Sequence, residues 1–193
     1  MKSVCVFCGS SAGGAPDYEI AAITLGSALA RQRITLVYGG AHVGLMGTLA
    51  NAALANGGEV VGVIPQTLVE KELAHNGLSQ LVVVETMHER KAMMNDLADG
   101  FIAMPGGLGT LEEMAEVLTW AQLGIHHKPC AFLNTRGYYD HVRGFLNHAV
   151  AEGFMKQQHA DIPLVNGDPL ELLTQMHAYK PRHTDKWGRL PPK

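Results

Sequence analysis

Seven short apolar runs alternate along this chain with six longer stretches of helical periodicity, a rhythm that leaves few folds open. The strand-like runs fall at residues 3–8, 34–38, 59–64, 81–85, 100–104, 130–134 and 162–165. The helical patterns fall at 18–32, 45–56, 88–98, 111–123, 139–152 and 169–179. Strands that are apolar throughout, each followed by a helix, belong to a parallel sheet covered on both sides. The expected fold is α/β, a Rossmann-like parallel sheet with helices on both faces. A length of 193 residues suits one such domain over 1–179. The segment 180–193 is basic and proline-rich and is expected to trail over the surface or a partner subunit.

In such a sheet ligands bind outside the carboxyl ends of the strands, where the strand order reverses. Three strands here end in small-residue turns. The first turn contains Gly9 and Ser10, the second Gly39 and Gly40 followed by Gly44-Leu45-Met46-Gly47, and the third Pro105-Gly106-Gly107-Leu108-Gly109. None is G-x-G-x-x-G or G-x-x-x-x-G-K-[ST], so a dinucleotide or a triphosphate with its metal is disfavoured. Bare backbone N–H groups at the start of a helix hold an anion, most often a phosphate. A nucleotide-sized anionic ligand is the expected occupant.

The third turn carries more than a phosphate cradle requires. Thr110-Leu111-Glu112-Glu113 follows it directly, on a helix whose Leu111, Ala115, Leu118 and Gln122 share one stripe. Two readings are open for Glu113. Thr110 and Glu113 have the spacing of a capping box, in which Thr caps the helix and the acid reaches back. Alternatively, Glu113 is turned into the pocket and carries chemistry. Glu112 and Glu116, four residues apart, read as a solvated face.

A second unusual charge is Arg90, in the first turn of the pattern at 88–98, where a cation opposes the helix dipole. It shares a stripe with Met94 and Leu97. It is either a snorkelling side chain paired with Glu89 or Asp96 or a guanidinium that meets an anion at the same sheet edge.

Composition excludes other classes. Fifteen Lys and Arg against eighteen Asp and Glu give −3, which offers nucleic acid no attractive field. No run has the length of a membrane span, and the start of the chain lacks a signal peptide, so a cytoplasmic location is expected. Cys5 and Cys8 form a C-x-x-C inside the first strand, away from the helix start a redox motif needs, and are expected to be buried and structural. The ten histidines are scattered and no metal is expected.

Pro105-Gly106-Gly107-Leu108-Gly109-Thr110-Leu111-Glu112-Glu113 resembles the P-G-G-x-G-T-x-x-E signature of the Lonely Guy (LOG) family, and Met87-His88-Glu89-Arg90-Lys91 matches that family's second motif. The resemblance runs through Tyr38-Gly39-Gly40, Thr119-Trp120-Ala121-Gln122-Leu123-Gly124 and Gly137-Tyr138-Tyr139 and covers residues 3–179. It implies a nucleoside 5′-monophosphate phosphoribohydrolase that releases free base and ribose 5-phosphate from a cytokinin ribotide or AMP. It implies a homodimer with no cofactor. Arg90 and Glu113 match the catalytic pair. Glu72, Arg90, Lys91, the run from Gly107 to Glu113 and Thr119 match substrate-binding positions. Gly9, Ser10, Gly39, Gly40, Met87 and Gly106 are further candidates for substrate contact. Relatives labelled lysine decarboxylase would need pyridoxal phosphate on a lysine; Lys91 is the lysine beside a motif, without further support. The alternative is a nucleotide-binding or sensor protein without catalysis.

Overall fold

The computed structural model describes residues 1–71 and 73–181. Seven strands form one sheet: β1 (Ser3–Phe7), β2 (Thr35–Tyr38), β3 (Val60–Pro65), β4 (Gln80–Val84), β5 (Phe101–Ala103), β6 (Cys130–Leu133) and β7 (Leu164–Asn166). They lie in the order β4-β3-β2-β1-β5-β6-β7, and all neighbours are parallel. The chain builds outward from β1 to β4, then returns to the other side of β1 with β5. The reversal therefore lies between β1 and β5, where Cys5 pairs with Phe101 and Phe7 with Ala103.

The helices are α1 (Pro16–Arg31), α2 (Gly44–Ala55), α3 (Gln66–Val69), α4 (Met87–Leu97), α5 (Leu108–Gln122), α6 (Asp140–Ala151), α7 (Gln157–Ala160) and α8 (Pro169–Ala178). Side chains of α1, α2 and α8, among them Leu25, Leu29, Leu49 and Leu173, pack with Val4, Leu36 and Leu133 on one face of the sheet. Met94 of α4 and Met114 and Val117 of α5 pack with Phe101, Phe132 and Cys130 on the other. Both faces are covered, as continuously apolar strands require. Four-residue α3 and α7 carry too little periodicity to be expected from sequence.

The strand reading explains the cysteines. Cys5 packs in one core and Cys8 in the core on the opposite face, so the two thiols do not meet. All three cysteines are free and buried. His126 is a core histidine whose needs are met: the Lys128 N–H donates to its Nδ1 at 3.2 Å, leaving Nε2 to donate to the Val117 carbonyl at 2.9 Å. Burial holds it neutral. Among the described residues no group of three or more metal-ligating side chains comes together. No helix among them is long and apolar enough to cross a membrane.

Candidate active site

The turns after β1, β2 and β5 sit side by side because these three strands are neighbours at the reversal. They enclose a cleft of about 350 Å³. Cys8, Gly9 and Ser10 line it from β1, Gly39 from β2, and Met46 from α2. Arg90 and Met94 enter from α4, and Gly107, Leu108, Gly109, Thr110 and Glu113 from α5.

The start of α5 corrects the capping-box reading. The helix begins at Leu108, three residues before the expected Leu111, and its N-cap is Gly107 with no side-chain cap. Thr110 thus lies within the first turn, buried against Gly106, and cannot cap. The capping role belongs to α4. There Thr86 Oγ1 accepts from the Glu89 N–H at 3.1 Å, and Glu89 Oε2 accepts from the Glu85 N–H at 3.0 Å. Glu113 is released from that duty. A side chain on a helix leans toward the N-terminus, so its carboxylate reaches back to the cleft.

The first intrahelical bond of α5 runs from the Leu111 N–H to the Gly107 carbonyl at 3.2 Å. The N–H groups of Leu108, Gly109 and Thr110 precede it and point out of the helix end. Gly107 and Gly109 both line the cleft, and a β-carbon on either would meet no protein atom within 4 Å. Gly107 has an ordinary φ of −90° and Gly109 is helical. Neither packing nor backbone conformation asks for glycine here. The bare backbone leaves room for close approach of a ligand.

Arg90 is buried, and its snorkelling reading is not realised. Its Nε donates to the Val63 carbonyl at 3.1 Å, and its Nη1 pairs with Glu113 Oε1 at 3.5 Å, not with Glu89 or Asp96. A β-carbon at Gly39 would overlap Arg90 Nη2. Burial pushes the Glu113 carboxyl above its ordinary range, and the Arg90 guanidinium only partly offsets this. The result is a partly desolvated carboxylate, more basic than an exposed one.

Other expected contacts lie outside this cleft. Gly106 lines an adjoining recess of about 280 Å³ that shares Gly9, Ser10 and Gly107 with it. Gly40, with φ of +75°, turns the chain beneath Ile64 and Leu81. Met87 reaches Arg90 with its Sδ, 4.0 Å from Nη1. Glu112 and Glu116 are not a merely solvated face: Lys91 Nζ pairs with them at 2.7 and 3.1 Å, clipping α4 to α5. Leu111 and Thr119 face a separate apolar groove of about 520 Å³ between α5 and α6, which also includes Ala115, Leu118, Gln122 and Phe145. Glu72 lies outside the described residues, as do 182–193 of the tail. Cys8, Met46 and Met94 line the cleft without having been expected. As plain apolar residues within a strand end or helix stripe they carry no chemical signal in sequence.

A family model described as possible lysine decarboxylase matches residues 46–176. The cytokinin riboside 5′-monophosphate phosphoribohydrolase LOG7 of Arabidopsis thaliana is 47% identical over 190 residues, 98% of this chain and 88% of that protein. The phosphoribohydrolase of that name from Rhodococcoides fascians is 56% identical over 155 residues, 80% of this chain and 78% of its own. The chain belongs to the LOG family. As a LOG protein it shares its fold with the molybdenum cofactor carrier protein of Chlamydomonas reinhardtii, at TM-score 0.70 and 21% identity over 92% of this chain and 98% of the other. The decarboxylase label finds no support in this LOG chain. A Schiff-base lysine needs a lowered pKa, whereas hydrogen bonds from Lys91 to Glu112 and Glu116 raise it. Lys91 is therefore unsuited to a Schiff base with pyridoxal phosphate.

Proposed function

We propose that this chain hydrolyses the N-glycosidic bond of a nucleoside 5′-monophosphate, a cytokinin ribotide or AMP, releasing the base and ribose 5-phosphate. One observation carries the reading: a largely desolvated carboxylate, Glu113, shares a cleft with a helix start whose glycines are open to a ligand.

The N–H groups of Leu108, Gly109 and Thr110 hold the 5′-phosphate at the positive end of α5. Glu113 lies four residues, about one helical turn, beyond Gly109, and its side chain leans back toward the helix start, so its carboxylate faces the same cleft as the phosphate-binding N–H groups. As the C1′–N bond breaks, its electron pair leaves with the base, and positive charge spreads over C1′ and the ring oxygen. The Glu113 carboxylate stabilises that charge and takes a proton from the water whose oxygen bonds to C1′. Arg90 keeps the nucleotide in register and orients Glu113.

A binder without catalysis needs only the glycines. Burying Arg90 and Glu113 together is costly, and a reaction gives the pair a purpose. A second copy of the chain is the natural cover for the α5–α6 groove, where Phe145 is 66% exposed and Thr119, implied in substrate binding, lies outside its own cleft. This supports a homodimer in which one subunit completes the site of the other. Three unpaired cysteines favour the reducing cytoplasm. Chromatography of the products from a panel of 5′-monophosphates and their nucleosides tests the reading. Release of base from the monophosphates supports it; equal cleavage of the nucleosides contradicts the phosphate cradle.

A further inference from the structure

The run that leads from β5 into α5 has every carbonyl tied down. Tyr139 Oη donates to the Met104 carbonyl at 2.6 Å. The Gly9 N–H donates to the Pro105 carbonyl at 3.1 Å, and Tyr138 Oη donates to the Gly106 carbonyl at 2.6 Å. The Gly107 carbonyl receives the Leu111 N–H at 3.2 Å. Four consecutive carbonyl dipoles are thereby bound to protein donors, and none is left to repel an anion.

The two tyrosines differ. Tyr139 is fully buried and serves the core. Tyr138 is 42% exposed and reaches the loop from the wall of the adjoining recess. Its ring rests edge-on against Tyr18 at 5.9 Å and Tyr139 at 5.1 Å, so its place does not depend on the hydroxyl. The peptide bond joining Gly106 to Gly107 is trans, which sets the Gly107 N–H opposite the Gly106 carbonyl. No side chain at Gly107 steers this peptide plane.

We infer that Tyr138 is a positioning residue: by drawing the Gly106 carbonyl toward itself, its hydroxyl turns the Gly107 N–H to the substrate's 5′-phosphate. The inference rests on the proposed phosphate site at α5. It concerns affinity for the phosphate, not the chemical step, because Tyr138 touches the loop and not Glu113.

Tyr138→Phe removes the hydroxyl and keeps the ring. Its KM for AMP and its inhibition constant for ribose 5-phosphate are expected to rise about three- to tenfold, the scale of one lost hydrogen bond. kcat, the inhibition constant for free adenine and the thermal midpoint should stay at wild-type values. A fall in kcat with unchanged KM, or weakening of adenine and ribose 5-phosphate alike, would indicate a structural role and overturn the inference. Gly109→Ala, assayed in parallel, separates the two levels. If it weakens ribose 5-phosphate while Tyr138→Phe binds normally, the inference fails and the phosphate site stands. If neither variant weakens ribose 5-phosphate, the phosphate site itself is wrong.

Discussion

Arg90 occupies the space where a side chain at Gly39 would stand: a β-carbon there would overlap its Nη2. The glycine that follows β2 is therefore part of the geometry that brings a guanidinium from α4 to within 3.5 Å of Glu113 on α5. Gly39→Ala forces Arg90 to move. Displacement of such a group by an ångström is expected to lower kcat/KM about a hundredfold. Overpacking should cost about 1–3 kcal/mol, read as a lower thermal midpoint. Wild-type kcat/KM in Gly39→Ala would remove Arg90 from the machinery.

Gly109 presents the opposite balance. Alanine there meets no protein atom, and in a helix alanine is favoured over glycine by up to about 1 kcal/mol. Gly109→Ala should therefore melt at or above the wild-type temperature while its KM for a 5′-monophosphate rises at least about tenfold, because the added methyl group blocks the phosphate. Calorimetry and steady-state kinetics on one preparation check both halves.

The raised pKa of Glu113 has a definite sign in both activity and stability. The proposed chemistry needs the ionised carboxylate, so the acid limb of kcat/KM should have its midpoint above the ordinary glutamate value of 4.5. The folded protein binds this proton more tightly than the unfolded chain does. Stability from this group is full below 4.5 and is lost as pH rises through the folded value. Glu113→Gln should remove that loss, visible as a flatter dependence of thermal midpoint on pH than in wild type. An identical dependence would mean that Glu113 titrates normally.

Much of this cleft is legible in the sequence. Alternation of strands and helices placed the glycine turns at one sheet edge, and β2, β1 and β5 prove to be adjacent. The start of α5 was not legible, because Gly109 weakens a helical pattern and Thr110-x-x-Glu113 imitates a cap. The true cap, Thr86-x-x-Glu89, was hidden beside the more conspicuous Arg90. The pairing of Arg90 with Glu113 depends on how α4 and α5 lie side by side on one face of the sheet, which local periodicity does not encode. Likewise Thr119 lies six positions beyond Glu113, on a face that looks away from the cleft.

Phe145 tests the assembly. Phe145→Glu puts a charge into the α5–α6 groove, and self-association is expected to weaken by about thirtyfold or more, the effect of losing a central aromatic anchor. Sedimentation velocity should show dimer for the wild type and monomer for Phe145→Glu at the same concentration. Unchanged association would give the groove to another partner.

The most direct test is base release from AMP and a cytokinin ribotide by Glu113→Gln, with ribose 5-phosphate binding measured on the same sample. The expected result is a fall in kcat of about 10²–10⁴-fold, the contribution of a positioned general base, with ribose 5-phosphate still bound. Turnover near wild type in a folded Glu113→Gln protein would contradict the assignment of Glu113 as the catalytic carboxylate.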